Sequence, residues 1–192
     1  AVRYVQSAVG CVTVLLVYLL SRRTVGAAPA LIAGALTAVY VPFVFFEAEF
    51  LEITLVLAFV AGSLLALLKA EENDRGAALW AASAGGLLGL AALGKPNLLL
   101  FVPVSAAWLA AMRHRDGDTQ RARAQRARPG ARGHRGASSL APAAVLLLAA
   151  GLVVLPATVH NFRAEGDFIP VSSNAGINLY IGNHPGAPGT FT

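Results

Sequence analysis

The side chains of this chain that could do chemistry gather in a few short stretches. Glu47, Glu49 and Glu52 form an acidic cluster between two apolar runs. If Glu49 and Glu52 fall on the first turn of one helix, they are three positions apart and share a face. Carboxylates there could simply answer the positive end of the helix dipole. They could equally bind a divalent cation or a cationic or hydroxylated substrate. Lys95, in the turn Gly94-Lys95-Pro96-Asn97, is the only charge between two further apolar runs. It either snorkels to a membrane interface or presents a point charge to an anion, such as a lipid-linked phosphate at headgroup depth. His160, Asn161 and Arg163 close the last apolar run. They could extend that anion site or serve as ordinary interface anchors. Finally, Asn174, Asn178 and Asn183 interleave with Ile177, Leu179, Tyr180 and Ile181. Amide side chains donate and accept at once, which suits sugar hydroxyls; Asn and Gly also punctuate ordinary turns. Neither Asn161 nor Asn174 has Ser or Thr two positions on, so neither is a glycosylation acceptor. The sequence carries no phosphate-cradling Gly-rich loop, no Cys/His metal cluster and no Ser-His-Asp pattern.

The elements that must position these residues are membrane spans. Hydrophobic residues make up 56% of the 192 and charged ones 13%, where a soluble domain carries about 25% charge. Crossing a hydrocarbon core takes about 20 mostly apolar helical residues. Six runs come near that length: 5–20, 29–46, 51–68, 77–93, 98–112 and 140–159. The expected fold is therefore an all-α, polytopic transmembrane bundle of about six helices, with residues 160–192 beginning an outward-facing segment. Gly85, Gly86 and Gly89 form a small-residue stripe suited to close helix packing. Cys11 is the only cysteine, so no intrachain disulfide can form.

The net charge of +5 is not a nucleic-acid signal, because it is concentrated between spans. Arg22 and Arg23 follow the first run, Lys69 and Arg75 the third, and eight Arg from Arg113 to Arg135 the fifth. If every run crosses once, these three loops share a side, and the positive-inside rule assigns them to the cytoplasm. The 113–139 stretch has no aromatic residues, which predicts a solvated, unstructured loop drawn to anionic lipid headgroups. Glu47, Glu49, Lys95 and everything from His160 onward then face outward. The only Met is Met112 and the chain opens directly on a span, so it reads as a piece of a longer protein.

Several of these stretches together resemble a known family. They are the first run with its Ser21-Arg22-Arg23 exit, Tyr40–Phe46 leading into Glu47-Ala48-Glu49-Phe50-Leu51, and Gly86–Leu93 leading into Gly94-Lys95-Pro96-Asn97. Val159-His160-Asn161-Phe162-Arg163 and the run Ser172–Asn183 complete the set. The pattern is similar to bacterial membrane glycosyltransferases related to protein O-mannosyltransferases (glycosyltransferase family 39, the GT-C fold class). The resemblance implies transfer of a sugar from a polyprenyl-phosphate carrier to an acceptor on the outer face of a bacterial inner membrane. It places Glu47 and Glu49 at the family's second acidic site and Lys95 where the carrier phosphate is met, assisted by His160 or Arg163. It also implies that the catalytic base on the acceptor hydroxyl lies in a loop before Ala1, leaving this piece inactive alone. A divalent cation is a candidate cofactor that the family does not uniformly require. The competing readings are a polytopic transporter or lipid-carrier flippase, which would need ionisable residues at mid-membrane depth, and a non-catalytic scaffold.

Overall fold

A computed structural model describes residues 2–48, 52–127, 140–172 and 180–181. Its regular elements are seven α-helices and one 3-10 helix: α1 (Val2–Thr24), α2 (Ala27–Val39), α3 (Val41–Ala48), α4 (Ile53–Glu72), α5 (Ala77–Gly94), the 3-10 helix Pro96–Leu100, α6 (Phe101–Ala127) and α7 (Leu140–Glu165). Helix is the form an apolar segment must take in lipid, because it satisfies every backbone N–H and C=O internally. Among the described residues, five segments are long and apolar enough to cross a membrane: Tyr4–Thr24, Ile53–Glu72, Ala77–Gly94, Pro96–Arg115 and Leu140–Ala164.

Three expectations need correction. The single span over 29–46 is two helices, α2 and α3, broken at Tyr40, whose backbone is extended. Pro42 has no N–H to give the Ala38 carbonyl, and its ring would clash there, so the chain turns instead. The basic stretch after Met112 is not an unstructured loop throughout: α6 continues to Ala127. Ala, Arg and Gln are strong helix formers, and they extend a helix that the apolar half has already nucleated. Residues 128–139 lie outside the described residues. The last helix also runs past Val159 to Glu165, so His160, Asn161 and Arg163 are helical rather than the start of a tail.

Small residues set the packing. The buried core joins Ala66, Ala70, Ala81, Ala84, Ala106 and Ala143 with fully buried Leu109 and Leu146. In lipid, helices associate through close van der Waals packing rather than hydrophobic expulsion, and alanine faces allow that approach. The Ser63 hydroxyl donates to the Ala84 carbonyl at 2.9 Å between α4 and α5. Gly85 lies against the Leu146 carbonyl and Gly89 against Ala150 and Val153, so α5 and α7 run side by side in the same direction. Gly62 of α4 faces Leu16 of α1 on one flank and Leu87 of α5 on the other.

These pairings sort the charged residues to two ends. At one end Arg23 pairs with Glu72, Lys69 sits 4.1 Å over the Trp80 ring, and Arg113 reaches the C-terminus of α4. The Arg113 guanidinium donates to the Ala70 and Glu71 carbonyls at 3.0 and 3.3 Å and to Asp74 at 2.9 Å. It thereby occupies carbonyls that a helix end leaves unpaired. Arg22 and Arg75 belong to the same end. Glu52 and Lys95 meet at the opposite one.

Candidate functional site

The opposite end is built on the junction of α4 with α5. Glu52 immediately precedes α4, in right-handed helical geometry, and its carboxylate makes no capping bond to the first turn of that helix. It accepts a hydrogen bond from the Lys95 ammonium at 2.7 Å instead. At the N-terminus of α4, where the helix dipole favours a carboxylate, Glu52 thus also joins an ion pair across 43 residues. Both side chains are half-exposed, 45% for Lys95 and 49% for Glu52. The Lys95 hydrogen bond, then the backbone N–H of Glu52 itself and the Lys95 charge, hold the Glu52 carboxyl below its ordinary value. At this exposure solvent screening keeps the pair's net contribution small. Its consequence is positional: a long, flexible side chain is held at one place.

The backbone fixes that place more firmly than the charges do. Lys95 is extended, its N–H donates to the Ala91 carbonyl and its carbonyl accepts from the Leu98 N–H, both at 2.9 Å. Pro96 then opens the 3-10 helix with a φ already suited to it. The preceding Gly94 is pressed onto α4. A Cβ at that position would stand 2.6 Å from Val56 Cγ2 and 3.6 Å from Glu52 Cγ. The missing side chain is what lets the end of α5 approach the start of α4 closely enough for the ion pair.

Two cavities flank α4 below this end. One of about 180 Å³ is lined by residues including Ser7, Cys11, Thr13, Thr37, Phe43 and Thr54 of α1 to α4. The other, about 120 Å³ and almost wholly apolar, sits against the 3-10 helix and is lined by residues including Ser63, Leu64, Leu88, Leu98, Phe101 and Ser105. It lies directly along the elements that carry Lys95.

His160 and Arg163 are exposed on α7. Since α7 runs with α5, and Gly89 packs at the level of Ala150 to Val153, His160 lies roughly one turn and Arg163 about two turns beyond the level of Lys95 at the same end. Asn161 is committed elsewhere: its amide donates to the Ile169 and Val171 carbonyls at 3.1 and 3.0 Å, and the Thr158 hydroxyl donates to Pro170 O at 2.8 Å. These bonds fold residues 169–171 back along the end of α7. Tyr180 is exposed. Glu47 falls in α3. Its side chain, together with Glu49, Asn174, Asn178 and Asn183, lies outside the described residues. Among the described residues no group of three or more His, Cys, Asp or Glu converges as a metal site.

Sequence reasoning missed two structural features of this end, the engagement of Lys95 by Glu52 and the close approach of Gly94 beneath it. The Gly-Lys-Pro spacing marked a turn but said nothing of what the turn rests on. Residues 1–120 match the family model of dolichyl-phosphate-mannose-protein mannosyltransferases. That stretch contains both Glu52 and Lys95 and stops short of α7. No curated protein and no solved structure matches the chain.

Proposed function

The chain belongs to the dolichyl-phosphate-mannose-protein mannosyltransferase family, membrane glycosyltransferases of the GT-C type, and on that premise we propose that Lys95 receives the phosphate of its polyprenyl-phosphate-linked sugar donor. The observation that carries this reading is the placement of Lys95. It is a half-exposed ammonium on a backbone fixed at the end of an apolar bundle, with an apolar cavity suited to prenyl units deeper along the same elements, at the level of Leu88 and Val60. An ammonium at headgroup depth, with greasy surface below and water above, matches the two halves of a lipid phosphate.

In the transfer step the acceptor hydroxyl, giving its proton to a general base, attacks the anomeric carbon of the sugar and polyprenyl phosphate leaves with the bonding electron pair. Negative charge grows on the phosphate oxygens, and a cation already in place stabilises it without reorganisation. His160 and Arg163, about one and two turns further out on α7, supply additional positive or hydrogen-bonding groups to the same mouth. By the family resemblance Glu47 and Glu49 are assigned to a second acidic site. Asn174, Asn178 and Asn183 are assigned to hydrogen bonding with sugar hydroxyls, for which amide side chains are suited. The end bearing Arg22, Arg23, Lys69, Arg75 and Arg113 faces the cytoplasm, in keeping with the positive-inside rule, and the Lys95 end faces outward.

The test is Lys95→Ala in the full-length protein, assayed for sugar transfer from a polyprenyl-phosphate-linked donor. Loss of one preorganised cation at a developing charge is worth about 10²–10³ in rate. Wild-type transfer by this variant, at normal protein level in the membrane, would rule the assignment out.

A further inference from the structure

The ion pair between Glu52 and Lys95 creates a chemical problem for any phosphate that binds there. An incoming anion meets an ammonium that already has a carboxylate at 2.7 Å. We infer that Glu52 is a resident competitor of the carrier phosphate, one that returns Lys95 to its paired state and so drives the spent carrier off after each transfer. This rests on the reading that Lys95 is the phosphate-binding cation.

Three observations support a competitor rather than a structural brace. First, Glu52 is placed to cap α4 but makes no capping bond, and its foremost partner is Lys95. Second, the approach of the two elements is set by the contact of Gly94 with Val56, which holds with or without the carboxylate. Removing the charge therefore leaves the Lys95 backbone where it is and frees its ammonium. Third, both partners are half-exposed, so the pair is weak enough for a phosphate to displace.

The charges of the two ligands explain why a competitor is useful. The donor is a phosphodiester with one negative charge. Transfer cleaves the bond from the anomeric carbon to the phosphate oxygen, leaving a phosphomonoester whose second ionisation lies near pH 6, so it carries close to two charges. A bare lysine would hold the product more tightly than the substrate and stall the cycle. Glu52 opposes both ligands, and it repels the doubly charged product about twice as strongly, because the repulsion scales with the product of the charges.

The experiment measures binding of polyprenyl phosphate alone to the full-length protein in detergent micelles, comparing wild type with Glu52→Gln, Lys95→Ala and the double variant. Glu52→Gln is isosteric and half-exposed, and its thermal midpoint confirms folding. It is expected to bind the spent carrier roughly three- to tenfold more tightly than wild type, the scale of an exposed ion pair plus the relieved repulsion. In turnover assays it should show correspondingly stronger inhibition by added polyprenyl phosphate. The double variant should gain less over Lys95→Ala than Glu52→Gln gains over wild type, since without the ammonium only the direct repulsion is relieved. If Lys95→Ala weakens binding while Glu52→Gln leaves it unchanged or weaker, the competitor role is overturned and the Lys95 assignment stands. If Lys95→Ala binds as wild type does, the Lys95 assignment itself fails.

Discussion

Substituting Gly94 by alanine isolates the contact on which the site geometry depends. The added Cβ would stand 2.6 Å from Val56 Cγ2, where two carbons normally rest about 3.5–4.0 Å apart. The overlap of about 1 Å cannot be relieved by a swing of the valine, which is 5% exposed and packed in the core. The end of α5 must retreat instead, and it carries Lys95, the next residue, away from Glu52. Overpacking of this kind costs about 1–3 kcal/mol of stability. A catalytic group displaced by about 1 Å can lose as much as 10²-fold in rate. The assay is sugar transfer from a polyprenyl-phosphate-linked donor by the full-length protein, with Val56→Ala as the companion change, because it deletes the methyl group that the new Cβ strikes. Gly94→Ala should lose about 10- to 100-fold, and Val56→Ala alone should keep most activity. The two together should recover most of the loss, a non-additivity that only neighbouring residues show. A double variant as impaired as Gly94→Ala, or a fully active Gly94→Ala, would refute the idea that this contact positions Lys95.

Two further outcomes follow from the packing. Arg113 is 8% exposed while its ion-pair partner Asp74 is 80% exposed, so the carbonyls of Ala70 and Glu71 carry most of the arginine's contribution. Arg113→Met should cost about 3 kcal/mol, the range for charge-assisted bonds with their acceptors left unpaired, and Asp74→Asn only about 0.5 kcal/mol. Thermal unfolding in detergent separates them, and equal losses would show that the ion pair rather than the carbonyls is what matters. Within the glycine stripe, Gly85→Ala would drive a Cβ into the Leu146 backbone, whereas a Cβ at Gly86 meets nothing within 4 Å. The first should destabilise the α5–α7 contact by about 2–3 kcal/mol, and the second should be neutral or stabilising by up to about 1 kcal/mol of helix propensity. Equal midpoints for the two variants would contradict the packing described.

Which features were legible in the sequence depended on whether the physics behind them is local. Spans and the clustering of basic residues at one end can be read directly, because bilayer thickness and membrane charge act on each segment by itself. The break before Pro42 was hidden inside an apolar run, since hydropathy counts proline as one more residue while the backbone loses a hydrogen bond there. The helical extension to Ala127 was hidden the opposite way. Its charges read as a solvated loop, but Ala, Arg and Gln have strong helix propensity and begin on an existing helix. The stripe Gly85, Gly86, Gly89 correctly marked a packing face, yet only the structure separates Gly85 and Gly89, which touch α7, from Gly86, which does not. Lys95 stood out because it is a lone charge. Its partner did not, because Glu52 sat among other carboxylates with a plausible local role at the start of a helix. Choosing between the helix dipole and a lysine 43 residues away requires the distance between α4 and α5, and a single absent methyl group at Gly94 sets that distance. A glycine beside the one charged residue of a turn is thus the nearest thing to a sequence signal for this site, since close backbone approach is the one demand that both residues serve.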